Sequence, residues 1–355
     1  MIDGDIELIL SALQEPVLLV DQNQRIVHAN PAARDIWEAI TPGQTFVRFL
    51  RQPKALDCLA QVLAGQPRAE AQISIEGPLS VPYKMTAVHL GGSSPAVAVT
   101  LKDVSALVQA AQMRSDFVAN VSHELRSPLT TVSGLIETLM GHASDDPEAQ
   151  ARFLKIMARE AARMDRLIGD LLSLSRVEAD ERIRPQEQVD LVEIVYNVLA
   201  VMRERNDGED REFHFEPCAE RCQVLGKADE LTQVFQNLIE NAIKYSRPGS
   251  PVRVSIDWSV NAPRFSSPVW KIVVEDQGEG IAPEHIPRLQ ERFYRVDSGR
   301  SRQMGGTGLG LAIVKHILNR HRGRLSIKSE LGVGTAMMVY LPAPIDVERS
   351  LLAAQ

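Results

Sequence analysis

The stretch QNLIENAIKYS, residues 236–246, sets Asn237, Asn241 and Lys244 four and three residues apart, so all three project from one face of one helix. An amide oxygen can ligate a hard divalent cation and an ammonium can meet phosphate charge, so the trio suits a magnesium-bound triphosphate. A solvated polar face would use the same letters, but Leu238, Ile239 and Ile243 belong to a packed side, so the amides border a core. Two glycine clusters follow. EDQGEG ends an apolar strand with Asp276, Gly278 and Gly280, and GGTGLGLAIVK puts Gly306, Gly308 and Gly310 ahead of a helix. Glycines before a helix let backbone N–H groups and the positive dipole end approach phosphate with no Cβ in the way. A Rossmann fold needs its glycines straight after the first strand of a parallel βαβ unit, and a P-loop needs Gly-Lys-Ser/Thr; neither pattern is present.

A second constellation is VSHELRSPLT, residues 121–130, where His123 and Glu124 stand side by side and Ser127 and Pro128 follow in a stretch that otherwise reads as helix. Proline inside a helix costs about 3 kcal/mol. It cannot donate to the Glu124 carbonyl and its ring pushes against that group, so a weak point one turn wide, a hinge, is expected beside His123. The other seven histidines have no such context. His214, Cys218 and Cys222 step by four, but a zinc site wants a fourth ligand and tighter cysteine spacing, so reduced structural thiols are expected.

Three kinds of element must position these groups. In residues 1–104, PVLLVDQNQRIVHAN reads as strand, turn, strand, PAARDIWEAI as a short helix, and AQISIEG, YKMTAVHL and PAVAVTLKDV as three more strands. The expectation is a five-stranded, mostly antiparallel sheet with helices between strands two and three. From Ser105 the pattern turns helical, breaks at GHASDDP, and resumes over about 147–179. There Met157, Met164 and Leu171 recur every seven residues, with Leu167 and Leu174, and Ala161 and Ile168, assigned to the same stripe. A seven-residue stripe favours helix-on-helix packing, and two helices alone bury too little, so residues 105–180 are expected to form a hairpin that pairs with a second copy in a four-helix bundle. Residues 187–345 mix amphipathic helices with strands and read as one α/β sandwich, leaving 346–355 as a tail.

The front region resembles a PAS sensor domain, and DVS at 103–105 is similar to that family's exit motif. More specifically, NLIENAIKYS, DQGEGI, ERFYR, GGTGLGL and GVGT stand in the order of the N, G1, F, G2 and final glycine boxes of the histidine-kinase ATPase domain, and SHELRSPLT resembles that family's H box. The resemblance implies a multidomain α+β chain: a PAS-like sensor, a phosphotransfer hairpin forming a homodimer, and an ATP-binding sandwich of the GHKL type. It implies that Asn237 ligates Mg²⁺, that Asn241 and Lys244 contact the phosphates of ATP, and that Asp276 accepts the adenine amino group. Tyr245, Ile281 and Thr335 would line the base pocket beside Gly278 and Gly280. Arg295 would lie near the terminal phosphate, and Gly306, Thr307, Gly308, Leu309 and Gly310 would shape the lid.

His123 then becomes the nucleophile, since a neutral imidazole keeps a lone pair for the γ-phosphorus. Glu124 would take or orient the proton on the other ring nitrogen. The acceptor implied is an aspartate on a separate response regulator. Ser127 occupies a position where many relatives carry threonine, which orients a water that dephosphorylates the regulator. Serine keeps the hydroxyl but loses the β-branch that fixes its rotamer. ATP-driven clamps of the gyrase and MutL type share the ATP fold but resemble one another in a glutamate four residues before the magnesium asparagine. Gln233 stands there, and an amide cannot act as that base. A degenerate scaffold that binds nucleotide and a partner is a further reading. Among sensor kinases the layout most resembles the phosphate-regulon sensors, and the input to the PAS-like region is an unidentified ligand or protein.

Bulk properties agree with these classes. At 355 residues several cores are expected, and 44% hydrophobic with 24% charged residues is the balance of a globular chain. A net charge of −7 argues against the phosphate attraction on which nucleic-acid binding rests. No run of about eighteen apolar residues occurs, and acids stand where a signal peptide carries lysine or arginine. A cytoplasmic location is expected, either as such or as the soluble part of a membrane-associated sensor.

Overall fold

The computed structural model describes residues 4–76, 80–91, 95–141, 146–181, 183–205, 211–260, 262–297, 299 and 306–344; the expected tail at 346–355 lies outside them. The chain divides into two units, 1–119 and 120–355.

The first unit is built on a five-stranded antiparallel sheet. Its strands are β1 (Val17–Val20), β2 (Ile26–Ala29), β3 (Arg68–Ile75), β4 (Val81–His89) and β5 (Val97–Asp103), in the order β2-β1-β5-β4-β3. Around it are α1 (Gly4–Ala12), α2 (Pro31–Ile36) and α3 (Pro53–Leu63). The tight β1–β2 turn forms because Asp21 Oδ1 accepts the Asn23 and Arg25 amides, each at 2.8 Å, and Gln24 takes a left-handed φ of 60°. Leu59 and Val62 of α3 are fully buried and share one core with Met85, Ala87, Val99 and Leu101 of the sheet. Asn30 is the fastener. Its Oδ1 accepts from Val17 (2.9 Å) and Ala33 (3.0 Å), which caps α2, while Nδ2 donates to the carbonyls of Leu10, Leu13 and Glu15. At the exit, Asp103 Oδ1 accepts the Ser105 amide at 2.7 Å, and bonds to Ser105 hold its carboxyl below the usual carboxylate range.

The helix α4 (Ser105–Met140) begins there and carries into the second unit. It stays helical through Pro128, which is buried. Around the missing donor, Thr130 and Thr131 donate their hydroxyls to the carbonyls of Arg126 (3.0 Å) and Ser127 (3.2 Å), a pattern that bends helices. The return helix α5 (Pro147–Asp180) starts at Asp146, whose carboxylate accepts the Ala149 amide at 3.0 Å, with Pro147 where a missing N–H costs nothing. On α5, Leu167 and Leu174 are buried with Val177, whereas Ala161 and Ile168 are exposed, Ile168 at 47%, so one side of the expected stripe is covered within this chain and the other is not.

The rest of the second unit is a sandwich of helices on a mixed sheet. The short strands β6 (Gln188–Asp190) and β8 (Gln223–Leu225) pair with each other. The main sheet runs β11-β12-β10-β9-β7, with β7 (Phe213–Pro217), β9 (Val252–Ser259), β10 (Val269–Asp276), β11 (Arg324–Glu330) and β12 (Gly334–Pro342); only β7–β9 is parallel. The helices are α6 (Leu191–Arg205), α7 (Ala228–Tyr245) and α8 (Gly310–Arg320). Phe235, Leu238 and Ile239 of α7, Ile313 and Ile317 of α8, and Val254, Ile256, Ile272 and Val274 of the sheet are all within 1% of full burial. Buried His321 fixes the start of α7. Its Nδ1 donates to Ile317 O (2.8 Å) and its Nε2 accepts the Lys227 amide (3.1 Å), and burial pushes its pKa down, in keeping with a neutral ring.

Candidate functional site

A cavity of about 590 Å³ opens in the second unit between α7, the C-terminal end of β10 and the glycine loop before α8. Asn237, Asn241 and Lys244 line it together, as their spacing on α7 requires. Asn237 Nδ2 donates to the Gln233 carbonyl at 3.0 Å, which leaves the amide oxygen facing Gly310. A Cβ at Gly310 would come within 2.7 Å of that oxygen, so only glycine leaves the approach open. Lys244 Nζ lies 3.7 Å from Glu240.

Asp276 ends β10 with its carboxylate at the cavity. Burial pushes its pKa up, and bonds from the Gly278 amide (2.9 Å) and the Thr335 backbone offset that in part. Two amides occupy only part of a carboxylate's four acceptor sites. Thr335 stands opposite Asp276 on β12, and its hydroxyl lies 2.8 Å from that of Ser329, which in turn accepts the Ile281 amide at 2.8 Å. Tyr245, Gly280, Ile281 and Thr335 thus form one wall. Gly306, Thr307, Gly308 and Gly310 form another, held by the Phe293 amide, which donates to Gly308 O at 2.8 Å from a left-handed φ of 64°. Gly278 and Leu309 stand behind these walls; Leu309 is fully buried, so its side chain serves the core.

Arg295 joins this cavity to the hairpin. Its side chain is 7% exposed, and Nη2 lies 3.1 Å from Glu124 Oε2. Its Nε is buried without a partner, a donor of the kind an oxyanion satisfies. Glu124 is thereby brought to the cavity wall, while His123 and Ser127 lie exposed on the same helix. The fit to a nucleotide with a divalent cation rests on that unpaired N–H and on the Asn237 carboxamide oxygen. Gln233, at the position a clamp's catalytic base would hold, accepts the Ser173 hydroxyl at 2.7 Å. The Cys222 thiol is buried and pushed up to about 12, chiefly by that burial, so it stays protonated.

Sequence reasoning missed the hairpin's own contribution. Arg166 and Asp170 of α5 line the cavity, and Asp170 Oδ2 accepts the Thr307 hydroxyl at 2.6 Å. Arg163, buried on the same helix, lies 2.6 Å from Glu124. A signal existed: Ile156, Arg163, Asp170 and Val177 step by seven, and two charges in an inward-facing stripe call for partners.

Residues 113–180 match the family described as His Kinase A (phospho-acceptor) domain, and residues 226–345 the one described as histidine kinase-, DNA gyrase B-, and HSP90-like ATPase. The chain is 35% identical over 340 residues to the phosphate regulon sensor protein PhoR of Pseudomonas aeruginosa, covering 95% of this chain and 74% of that protein. It is 31% identical over 337 residues to the sensor protein SrrB of Staphylococcus aureus, of which it spans 55%. In fold alone it is similar to histidine kinase ThkA, crystallised in complex with response regulator protein TrrA, with a TM-score of 0.51 at 18% identity over 95% of this chain and 98% of that one. A phospho-acceptor hairpin and an ATPase fold in one chain, with likeness of this extent to a curated sensor, mean that the chain belongs to the sensor histidine kinases.

Proposed function

We propose that His123 is the residue phosphorylated from ATP bound in the cavity, and that the phosphoryl group then passes to an aspartate of a cognate response regulator. The observation that carries this is the Arg295–Glu124 ion pair, because it couples a cavity wall to the residue beside His123. In the transfer, a ring nitrogen of His123 bonds to the γ-phosphorus, the bond to the bridging oxygen breaks, and ADP leaves with that electron pair. The proton on the other ring nitrogen goes to Glu124. Asn237 offers its oxygen to Mg²⁺, Asn241 and Lys244 meet the phosphates, and Asp276 accepts the adenine amine. Tyr245, Ile281 and Thr335 enclose the base, and Arg295 turns its free N–H to the terminal phosphate. When bound, Mg²⁺ neutralises phosphate charge.

The divisions 1–104, 105–180 and 187–345 are proposed as sensor, hairpin and catalytic domain. The strand order of the first unit supports a PAS-like sensor for a ligand or protein signal. Leu129, Ile136, Ile168 and Leu172, exposed on the hairpin, support pairing with a second copy. Likeness to a phosphate regulon sensor supports phosphate-starvation signalling as the input. Among the described residues no helix is long and apolar enough to cross a membrane.

Incubation with ATP labelled at the γ-phosphate should give acid-labile, alkali-stable label on the protein, absent in His123→Gln. Steady phosphate release without labelled protein would instead support a clamp.

A further inference from the structure

Two guanidinium groups hold one oxygen of Glu124. Arg163 Nη2 lies 2.6 Å from Glu124 Oε2, and Arg295 Nη2 lies 3.1 Å from the same atom. The two differ in attachment. Arg163 belongs to α5, faces Glu124 across the hairpin with its side chain 10% exposed, and sets its Nη1 3.6 Å from Glu160 one turn back on its own helix. Arg295 belongs to the cavity wall and keeps a buried Nε unpaired. Arg163 is thus tied within the hairpin, whereas Arg295 reaches both Glu124 and the cavity.

Why a fixed partner is needed follows from helix geometry. Adjacent residues point about 100° apart around the axis, so neighbours i and i+1 do not face each other. Glu124 reaches the His123 ring only if its carboxylate is turned along the helix surface. A free glutamate populates many rotamers, and holding one of them costs side-chain entropy. Arg163 supplies that restraint from the opposite helix, and its planar fork leaves Oε1 open to receive a proton.

We propose that Arg163 is a positioning residue for the phosphorylation of His123, holding Glu124 in place while Arg295 exchanges Glu124 for the terminal phosphate. This rests on the reading of Glu124 as the base for His123. Loss of Arg295 from Glu124 would leave the carboxylate loose if it had no second partner. With Arg163 present, nucleotide can draw Arg295 away without disordering the base.

The test uses the full chain with Mg-ATP, measuring initial autophosphorylation rate and KM for ATP in wild type, Arg163→Met, Arg163→Lys, Glu124→Gln and the double variant Arg163→Met with Glu124→Gln. General-base catalysis contributes roughly 10²–10⁴-fold, so Arg163→Met is expected to lower the maximal rate by about tenfold or more with KM for ATP within about twofold. Arg163→Lys should recover part of the rate. The double variant should be no slower than Glu124→Gln alone, because Arg163 acts through Glu124. Additive losses, or a KM rising in step with the lost rate, would overturn the proposal. So would a wild-type rate in Arg163→Met alongside a slow Glu124→Gln. A wild-type rate in Glu124→Gln would instead remove Glu124 as the base, a failure of the underlying reading that is visible by itself. Melting curves report whether Arg163→Met folds; if it does not, Arg163→Lys carries the same split of rate against KM.

Discussion

The hydroxyl of Thr307 donates to the carboxylate of Asp170 across 2.6 Å and so ties the glycine loop ahead of α8 to the second helix of the hairpin. Burial pushes Asp170 up from its ordinary value of 3.8, and the Thr307 bond offsets this only in part. A group with a raised folded-state pKa contributes its stability fully below its unfolded pKa and loses it as pH rises through the folded value. Where Asp170 is charged, its burial is therefore a cost to the fold. Asp170→Asn removes the charge and keeps an acceptor for Thr307, so it should melt above wild type at neutral pH. The gap should close as the pH is lowered toward the ordinary aspartate range.

Gly310→Ala should act on binding more than on the fold. Gly310 is the first residue of α8, where the backbone is already helical and only a side-chain oxygen stands close to a new Cβ, so melting should change little. The new Cβ would crowd the Asn237 oxygen, so affinity for Mg-ATP should fall by at least tenfold in calorimetric titration.

At Asp276, asparagine keeps an oxygen for the Gly278 amide but adds a donor where the adenine amine would donate. Asp276→Asn should weaken ATP binding by an order of magnitude or more. Binding of inosine triphosphate, which lacks the amine, should change little.

Ser127→Ala should spare label transfer to His123 and slow removal of phosphate from the regulator severalfold. Loss of a labelled acyl phosphate with time, with and without the variant kinase, reads this directly. Equal decay in the two would remove Ser127 from that role.

Much of the fold could be read in local patterns, and what escaped was set by distant parts of the chain. The first two strands were legible because Asp21 and its neighbours spell a turn between apolar runs. β12 was not, since AMMVYLP is a continuous apolar run and a central strand buried on both faces shows no alternation. β7 was not legible because its five residues form an edge strand with none of them buried, paired to β9 alone. The α1 helix hangs on Asn30, whose bonds reach back as far as Leu10 and leave no periodic trace. At the site, Asn237, Asn241, Lys244 and the glycines were legible because each group acts from one short element. Arg163 and Asp170 left only their seven-residue spacing as a signal, which shows that they face inward but not what they meet, because their partners Glu124 and Thr307 lie 39 and 137 residues away.

Pro128 removes one rung from the ladder of α4. With no amide at 128 to tie back to Glu124, the turn beside His123 is held by one bond fewer than the turns around it, while the amides beyond the proline still span it. Amide hydrogen exchange should show this as a dip in protection next to the proline within 105–140. Pro128→Ala should remove the dip and shift the balance between phosphorylating His123 and emptying the regulator. A helix loosened at one turn lets the residues beside His123 rearrange while the rest of the rod stays wound.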